Sequence, residues 1–134
     1  MNTKAVAVDL DGTLAYYESW QGIDFIGGIM PGAKRFMNAL HELGFHIIIH
    51  STRLSPTINA NYSLDELKAP IEKWLSENGI PYDEIWTYPG KPLAIAYIDD
   101  RAIQCKPMLQ NGFDTREYER VLEQLAVCVY KEIK

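Results

Sequence analysis

Cysteine is scarce: the 134 residues contain two, Cys105 and Cys128, and neither belongs to a CxxC pair or a zinc-finger spacing. A disulfide framework and a thiolate metal centre are therefore not expected. Both thiols read as reduced core residues of a cytoplasmic protein. Long apolar runs are missing too. None approaches the ~20 residues that a membrane-spanning helix needs. The opening MNTKAVAVDL meets an acidic residue before the apolar stretch of a secretion signal could form, so neither a signal nor a membrane partner is expected. Positive charge is outnumbered: 13 Lys and Arg stand against 18 Asp and Glu, a net charge of -5. That balance disfavours broad affinity for nucleic acid or anionic membranes, and argues mildly against long nucleic-acid substrates. No repeat, low-complexity tract or Gly/Ser linker divides the chain, so one domain over residues 1–134 is expected.

What is present is an alternation of apolar runs and helical patterns. Lys4 to Val8 reads as a buried strand, rich in Val and Ala. Residues 14 to 30 form an irregular, aromatic flap. Pro31 then opens a helix whose inner stripe is Ala33, Phe36, Met37, Leu40 and Leu43, closed by Gly44. Phe45 to His50 is a second strand. Ser63 with Glu66 forms a capping box for a helix carrying Leu64, Leu67, Ile71, Trp74 and Leu75 on one face. Pro70 should kink or split it. Glu84 to Thr87 is a short strand and Ala94 to Ile98 a buried one. A weak strand lies near Ala102 to Gln104 or near Phe113. Asp114 with Glu117 caps a last helix with Tyr118, Val121, Leu122, Leu125 and Val129 inside. Such an order predicts an α/β fold, a mostly parallel sheet with helices on both faces. Ligands then bind beyond the carboxyl ends of the strands. Asp9, Ser51 and Asp99 each follow an apolar strand at that end.

The stretch Asp9-Leu10-Asp11-Gly12-Thr13 places two carboxylates two residues apart. In an extended segment they would point the same way. Asp99-Asp100 adds one or two more acids. Carboxylates this close repel unless a cation or shared proton intervenes. All-oxygen donors suit Mg²⁺, and no His/Cys cluster favours zinc. Gly12 permits a sharp turn after the acids, and Thr13 offers a hydroxyl or backbone donor. A carboxylate can attack phosphorus and form an aspartyl phosphate while its neighbour handles protons. A hydroxyl and a lysine would take the remaining phosphoryl oxygens. Read alone, the pentapeptide has a plain Asp/Gly turn as its lesser alternative.

In their order these residues resemble the haloacid dehalogenase-like (HAD) hydrolase superfamily over nearly the whole chain. The first motif, DxDx[TV], is Asp9 to Thr13. The second is Ser51 after Ile47-Ile48-Ile49-His50, with Thr52 its nearest competitor. The third is Lys91 in Gly90-Lys91-Pro92; Lys34 and Lys73 fall in helices and Lys106 lies past the acids. The fourth is Asp99-Asp100 after Ile95-Ala96-Tyr97-Ile98. The resemblance implies a three-layer Rossmann-like core and a phosphatase. Asp9 would be nucleophile and metal ligand. Asp11 would be the acid/base, its backbone carbonyl also on the metal. Thr13 would position Asp11 and the phosphate. Ser51 and Lys91 would bind the phosphoryl group. Asp99 would complete the Mg²⁺ site, with Asp100 a ligand or a partner behind one. An acid at position 11 points to the phosphate-handling branch rather than the dehalogenases.

Neither usual cap position has room for a cap domain, so a capless member with an open site is expected. Its substrate would be a phosphorylated small molecule or macromolecular end, with a second copy of the chain able to cover the site. Tyr16, Tyr17, Trp20 and Phe25 in the flap read either as local packing or as a stacking surface, with Tyr17 and Trp20 the candidates for substrate contact. Arg53 and Arg101, each just past a motif, read as second-anion contacts or as ordinary ion pairs. His50 should point away from Ser51 and pack. The leading expectation is an Mg²⁺-dependent phosphomonoester hydrolase. The alternatives are a nucleotide or polynucleotide-end phosphatase, and a HAD-fold binding or regulatory module with little chemistry.

Overall fold

The computed structural model describes residues 4–133, with side chains described through residue 128. A first compact unit, Met1–Asp100, holds β1 (Ala5–Val8), α1 (Ala33–Glu42), β2 (His46–Ile49), α2 (Leu64–Glu77), β3 (Glu84–Ile85) and β4 (Ala96–Ile98). A second unit, Arg101–Lys134, holds the hairpin β5 (Met108–Leu109) and β6 (Gly112–Phe113) and the helix α3 (Arg116–Ile133).

The strands of the first unit form one parallel sheet in the order β3-β2-β1-β4. This is the expected α/β, Rossmann-like arrangement, without a cap domain among the described residues. Strand periodicity explains the core. Val6, Val8, Ile47 and Ile49 point to one face and pack with Ala33, Met37 and Leu40 of α1 and Leu67, Ile71, Trp74 and Leu75 of α2. Ala5, Ala7 and Ile48 point to the other face and are also buried. Chain order fixes where the site falls. β1, β2 and β3 step outward in one direction, and the chain then returns to place β4 on the far side of β1. The carboxyl ends of β1 and β4 thus flank the point where the winding reverses, the ligand-binding position of open α/β sheets.

Several local expectations are refined. The helix after Pro31 starts at Ala33, because Gly32 is its N-cap with φ 84°. Phe36 and Leu43, expected inside, are exposed. The Ser63–Glu66 capping box is present in both directions. Pro70 sits inside α2 without splitting it; the tertiary packing of Leu67, Ile71, Trp74 and Leu75 outweighs the lost backbone bond. The strand expected as buried at Ala94 to Ile98 is a short edge strand with Ala96 and Tyr97 exposed, because among the described residues only β1 pairs with it. In the second unit, Tyr118, Leu122 and Leu125 of α3 are exposed rather than inward-facing. A piece of 34 residues, 101 to 134, is too small to build a core of its own. Val129, expected on the same stripe, lies outside the described side chains. Cys105 and Cys128 are free as expected but exposed, so they are not core residues. Among the described residues no helix is long and apolar enough to cross a membrane.

Candidate active site

Asp9 is the first residue beyond β1. Its backbone N–H donates to the Ile98 carbonyl (2.9 Å), and the His50 N–H donates to the Val8 carbonyl (2.9 Å), so the ladder extends to the site on both sides of β1. The chain then leaves the extended form. The N–H groups of Leu14 and Ala15 fold back onto the Leu10 carbonyl at 2.9 and 3.0 Å. Gly12 at the turn has φ +82°, and a Cβ there would lie 2.3 Å from Oδ2 of Asp100. Asp9 and Asp11, expected to point the same way, both precede this turn, and their carboxylates have different partners.

Asp9 instead faces the acids after β4. One carboxylate oxygen each of Asp9, Asp99 and Asp100 lie within 4.8 Å of one another. Burial is the largest cause that pushes the Asp9 carboxyl up to about 7, followed by the charge of Asp99 and a hydrogen bond shared with Asp100. Thr13 ties the two motifs together. Its hydroxyl accepts from the Asp100 N–H at 3.1 Å and makes a long 3.4 Å contact to Asp9 Oδ2. Three oxygen donors of like charge, with no nitrogen or sulfur donor among them, fit a hard divalent cation such as Mg²⁺.

The perturbed Asp9 carries a consequence for stability. A carboxyl whose folded value is raised from 3.8 to about 7 binds its proton more tightly in the folded than in the unfolded chain. Its contribution to stability is therefore full below the unfolded value and is lost as pH rises through about 7. In metal-free buffer the melting temperature should fall over that window, and Asp9→Asn should flatten the slope. Thermal melts of both proteins in EDTA from pH 4 to 8 check this.

Asp11 is directed elsewhere. Arg53 Nε donates to Asp11 Oδ2 at 2.6 Å and Nη2 to Oδ1 at 3.0 Å. Arg53 is 5% exposed and also reaches the flap. It donates to the carbonyls of Phe25 (2.8 Å) and Ile23 (3.4 Å), and its guanidinium carbon lies 4.8 Å from the Trp20 ring centroid. The stem of the flap is held separately, by Tyr16 N–H to Gly28 O, Met30 N–H to Leu14 O, and Trp74 Nε1–H to Gly27 O, each 2.8 Å. Tyr16, Tyr17, Trp20 and Phe25 all keep exposed ring surface.

Ser51 follows β2 and is buried. Its Oγ accepts from the Arg53 N–H at 3.1 Å, capping the 3₁₀ turn Thr52–Leu54 and leaving the hydroxyl proton to donate. Lys91 is exposed, with Nζ 4.0 Å from the Tyr97 ring centroid. The Tyr97 hydroxyl donates to the Pro92 carbonyl at 2.5 Å, so the same tyrosine anchors the loop that carries the lysine. Arg101 is exposed and opens the second unit.

Two relations escaped the sequence reading. His50, expected to pack, is partly buried and also lies within electrostatic reach of Asp99 and Lys91. Burial lowers its pKa most, Asp99 opposes this and Lys91 adds to it. The β1–β2 register ends with Val8 opposite Ile49, so Asp9 and His50 are the next residues of neighbouring strands, a relation that exists only once the strands are paired. The Arg53–Asp11 pair had a weak sequence signal: a lone acid beside a turn needs a countercharge.

No protein-family model matches the chain and no curated protein matches its sequence. Solved structures do resemble it. A conserved protein from Bacteroides thetaiotaomicron is 23% identical and aligns with TM-score 0.53 over 92% of this chain and 93% of its own. A target protein from Vibrio cholerae is 27% identical, with TM-score 0.50 over 91% of this chain and 98% of its own. Both support the fold. A D,D-heptose 1,7-bisphosphate phosphatase from B. bronchiseptica, complexed with magnesium and phosphate, is more remote, at 16% identity and TM-score 0.43 over 92% of this chain and 64% of its own. At that distance it carries no argument.

Proposed function

We propose that this protein is a HAD-like, Mg²⁺-dependent phosphomonoester hydrolase that works through an aspartyl phosphate. The observation that carries the reading is the half-buried Asp9 at the winding reversal of the sheet, grouped with Asp99 and Asp100 within 4.8 Å, with a second acid two residues on. Asp9, Asp99 and Asp100, with the Asp11 backbone carbonyl, would hold Mg²⁺. That ion would offset negative charge on the phosphoryl oxygens and keep Asp9 ionised.

The protein's own groups then divide the work. An Asp9 oxygen attacks phosphorus, the bond from phosphorus to the leaving oxygen breaks, and that oxygen takes a proton from Asp11, which holds one only when one of its oxygens is released from Arg53. In the second half Asp11 takes a proton from water as the water oxygen attacks phosphorus. The bond from phosphorus to Asp9 breaks, freeing inorganic phosphate and the original carboxylate. The Ser51 hydroxyl, the Thr13 hydroxyl and Lys91 donate to phosphoryl oxygens through both steps. The open site suits a phosphate carried on a small molecule or on a macromolecular end. The exposed ring surface of Trp20 beside Asp11's partner favours a substrate with a ring to stack, a nucleotide among them.

The test is hydrolysis of para-nitrophenyl phosphate. Turnover should require Mg²⁺, stop with EDTA and return when Mg²⁺ is added in excess. Turnover that continues unchanged in EDTA would overturn the metal-dependent reading.

A further inference from the structure

We propose that Arg53 is a positioning residue that makes the Asp11 carboxylate and the tip of the flap one mechanical unit. This rests on Asp11 as the proton carrier of the proposed reaction. One guanidinium binds both oxygens of Asp11, at 2.6 and 3.0 Å, and two flap carbonyls, those of Phe25 at 2.8 Å and Ile23 at 3.4 Å. Its face lies 4.8 Å from the centroid of the Trp20 ring. No other residue type could do this. The planar fork supplies parallel donors to a carboxylate while its far edge and face remain for other partners, whereas a lysine offers one point charge.

The anchoring of Arg53 fits the same role. It lies in the 3₁₀ turn capped by Ser51, with its own N–H on Ser51 Oγ (3.1 Å) and its carbonyl held by Asn59 Nδ2 (3.0 Å). The backbone that presents the guanidinium is thus tied to the Ser51 hydroxyl, so Asp11, Ser51 and the flap tip are placed by one short turn. The edge that would grip a substrate anion bidentately is already occupied by Asp11. The stem of the flap has its own bonds, at Gly27, Gly28 and Met30. Arg53 therefore governs the tip, roughly residues 20 to 25, and not the flap as a whole. A substrate that displaces the tip must move the proton carrier with it.

Two arms test this, one independent of turnover. Chymotrypsin cuts after aromatic residues, and the tip carries Trp20 and Phe25. In the full chain, Asp11→Asn and Arg53→Met should each raise cleavage at the tip about tenfold, since releasing either end of the clamp lowers the local opening cost. Thermal melts should show the rest of the protein still folded. Unchanged cleavage in Asp11→Asn overturns the coupling, and that variant keeps the test alive should Arg53→Met fail to fold.

The second arm is kinetic. Arg53→Met should lower kcat about 100-fold with KM little changed, the size expected when a reacting group is misplaced by about 1 Å. Arg53→Lys should not rescue it. In an Asp11→Asn background the same Arg53 substitution should cost almost nothing more, because its effect passes through Asp11. A raised KM with kcat intact would make Arg53 a substrate-anion contact and overturn the proposal. Equal losses in both backgrounds, or full rescue by lysine, would overturn it as well. If the wild type hydrolyses no phosphate ester, the proposed function fails, and the cleavage arm still decides whether the clamp exists.

Discussion

Asp9→Asn should abolish phosphate-ester turnover, by about 10⁴-fold or more, while leaving the protein folded. The loss is large because the substitution removes the attacking atom rather than an assisting one, and the amide left in its place is a poor nucleophile. The fold should survive because the change is isosteric and relieves a strained group. The Asp9 carboxyl is raised to about 7 by burial, Asp99 and Asp100, so its charge opposes folding when no cation is present. Above pH 7 in EDTA the variant should melt no lower than the wild type. Steady-state kinetics and thermal melts on one preparation check both halves. Retained turnover would remove Asp9 from the mechanism. Lost turnover with a large fall in melting temperature would leave the chemistry undecided and implicate structure instead.

Gly12→Ala should also be strongly damaging, although it adds one methyl group and removes no polar atom. Two causes add. Gly12 has φ +82°, where an L side chain costs about 1–2 kcal/mol. The added Cβ would also stand 2.3 Å from Asp100 Oδ2 and 2.7 Å from Asp100 Cγ, so the Asp100 side chain must swing away. That takes one of three carboxylates out of the group with Asp9 and Asp99. The expected outcome is a stability loss of about 1–2 kcal/mol, with Mg²⁺ affinity and kcat falling by about 100-fold or more. Denaturant unfolding and a Mg²⁺ titration of turnover separate the two effects. A variant that loses stability but binds Mg²⁺ normally would show that Asp100 does not contact the ion.

These two expectations come from different sources. The expectation for Asp9 is legible in the motif. That Gly12 matters through Asp100 is not, because 88 residues separate the two in the chain and only the pairing of β1 with β4 brings them together. The same division runs through the fold. Alternating apolar strands and helical stripes predicted a parallel sheet, and the capping box at Ser63 and Glu66 is in place. Exposure was less legible. Tyr97 and Leu122 are apolar, yet whether each is covered depends on strand order and unit size. Arg53 read as a second-anion contact or a surface ion pair, and the structure makes it an ion pair, buried against Asp11.

Residue order along the chain was enough to indicate the α/β class, the strand ends at which polar groups collect, and the acids proposed for nucleophilic and metal chemistry. Those features follow from local patterning, from period-2 and period-3.6 repeats and from short motifs, which a linear string contains in full. The pairing of the acids came from folding. Asp9 joins Asp99 and Asp100 because the sheet order β3-β2-β1-β4 brings two distant strand ends side by side, and Asp11 joins Arg53 of the turn after β2. Side-chain partners are set by through-space distance, and that distance exists only once the strands are ordered.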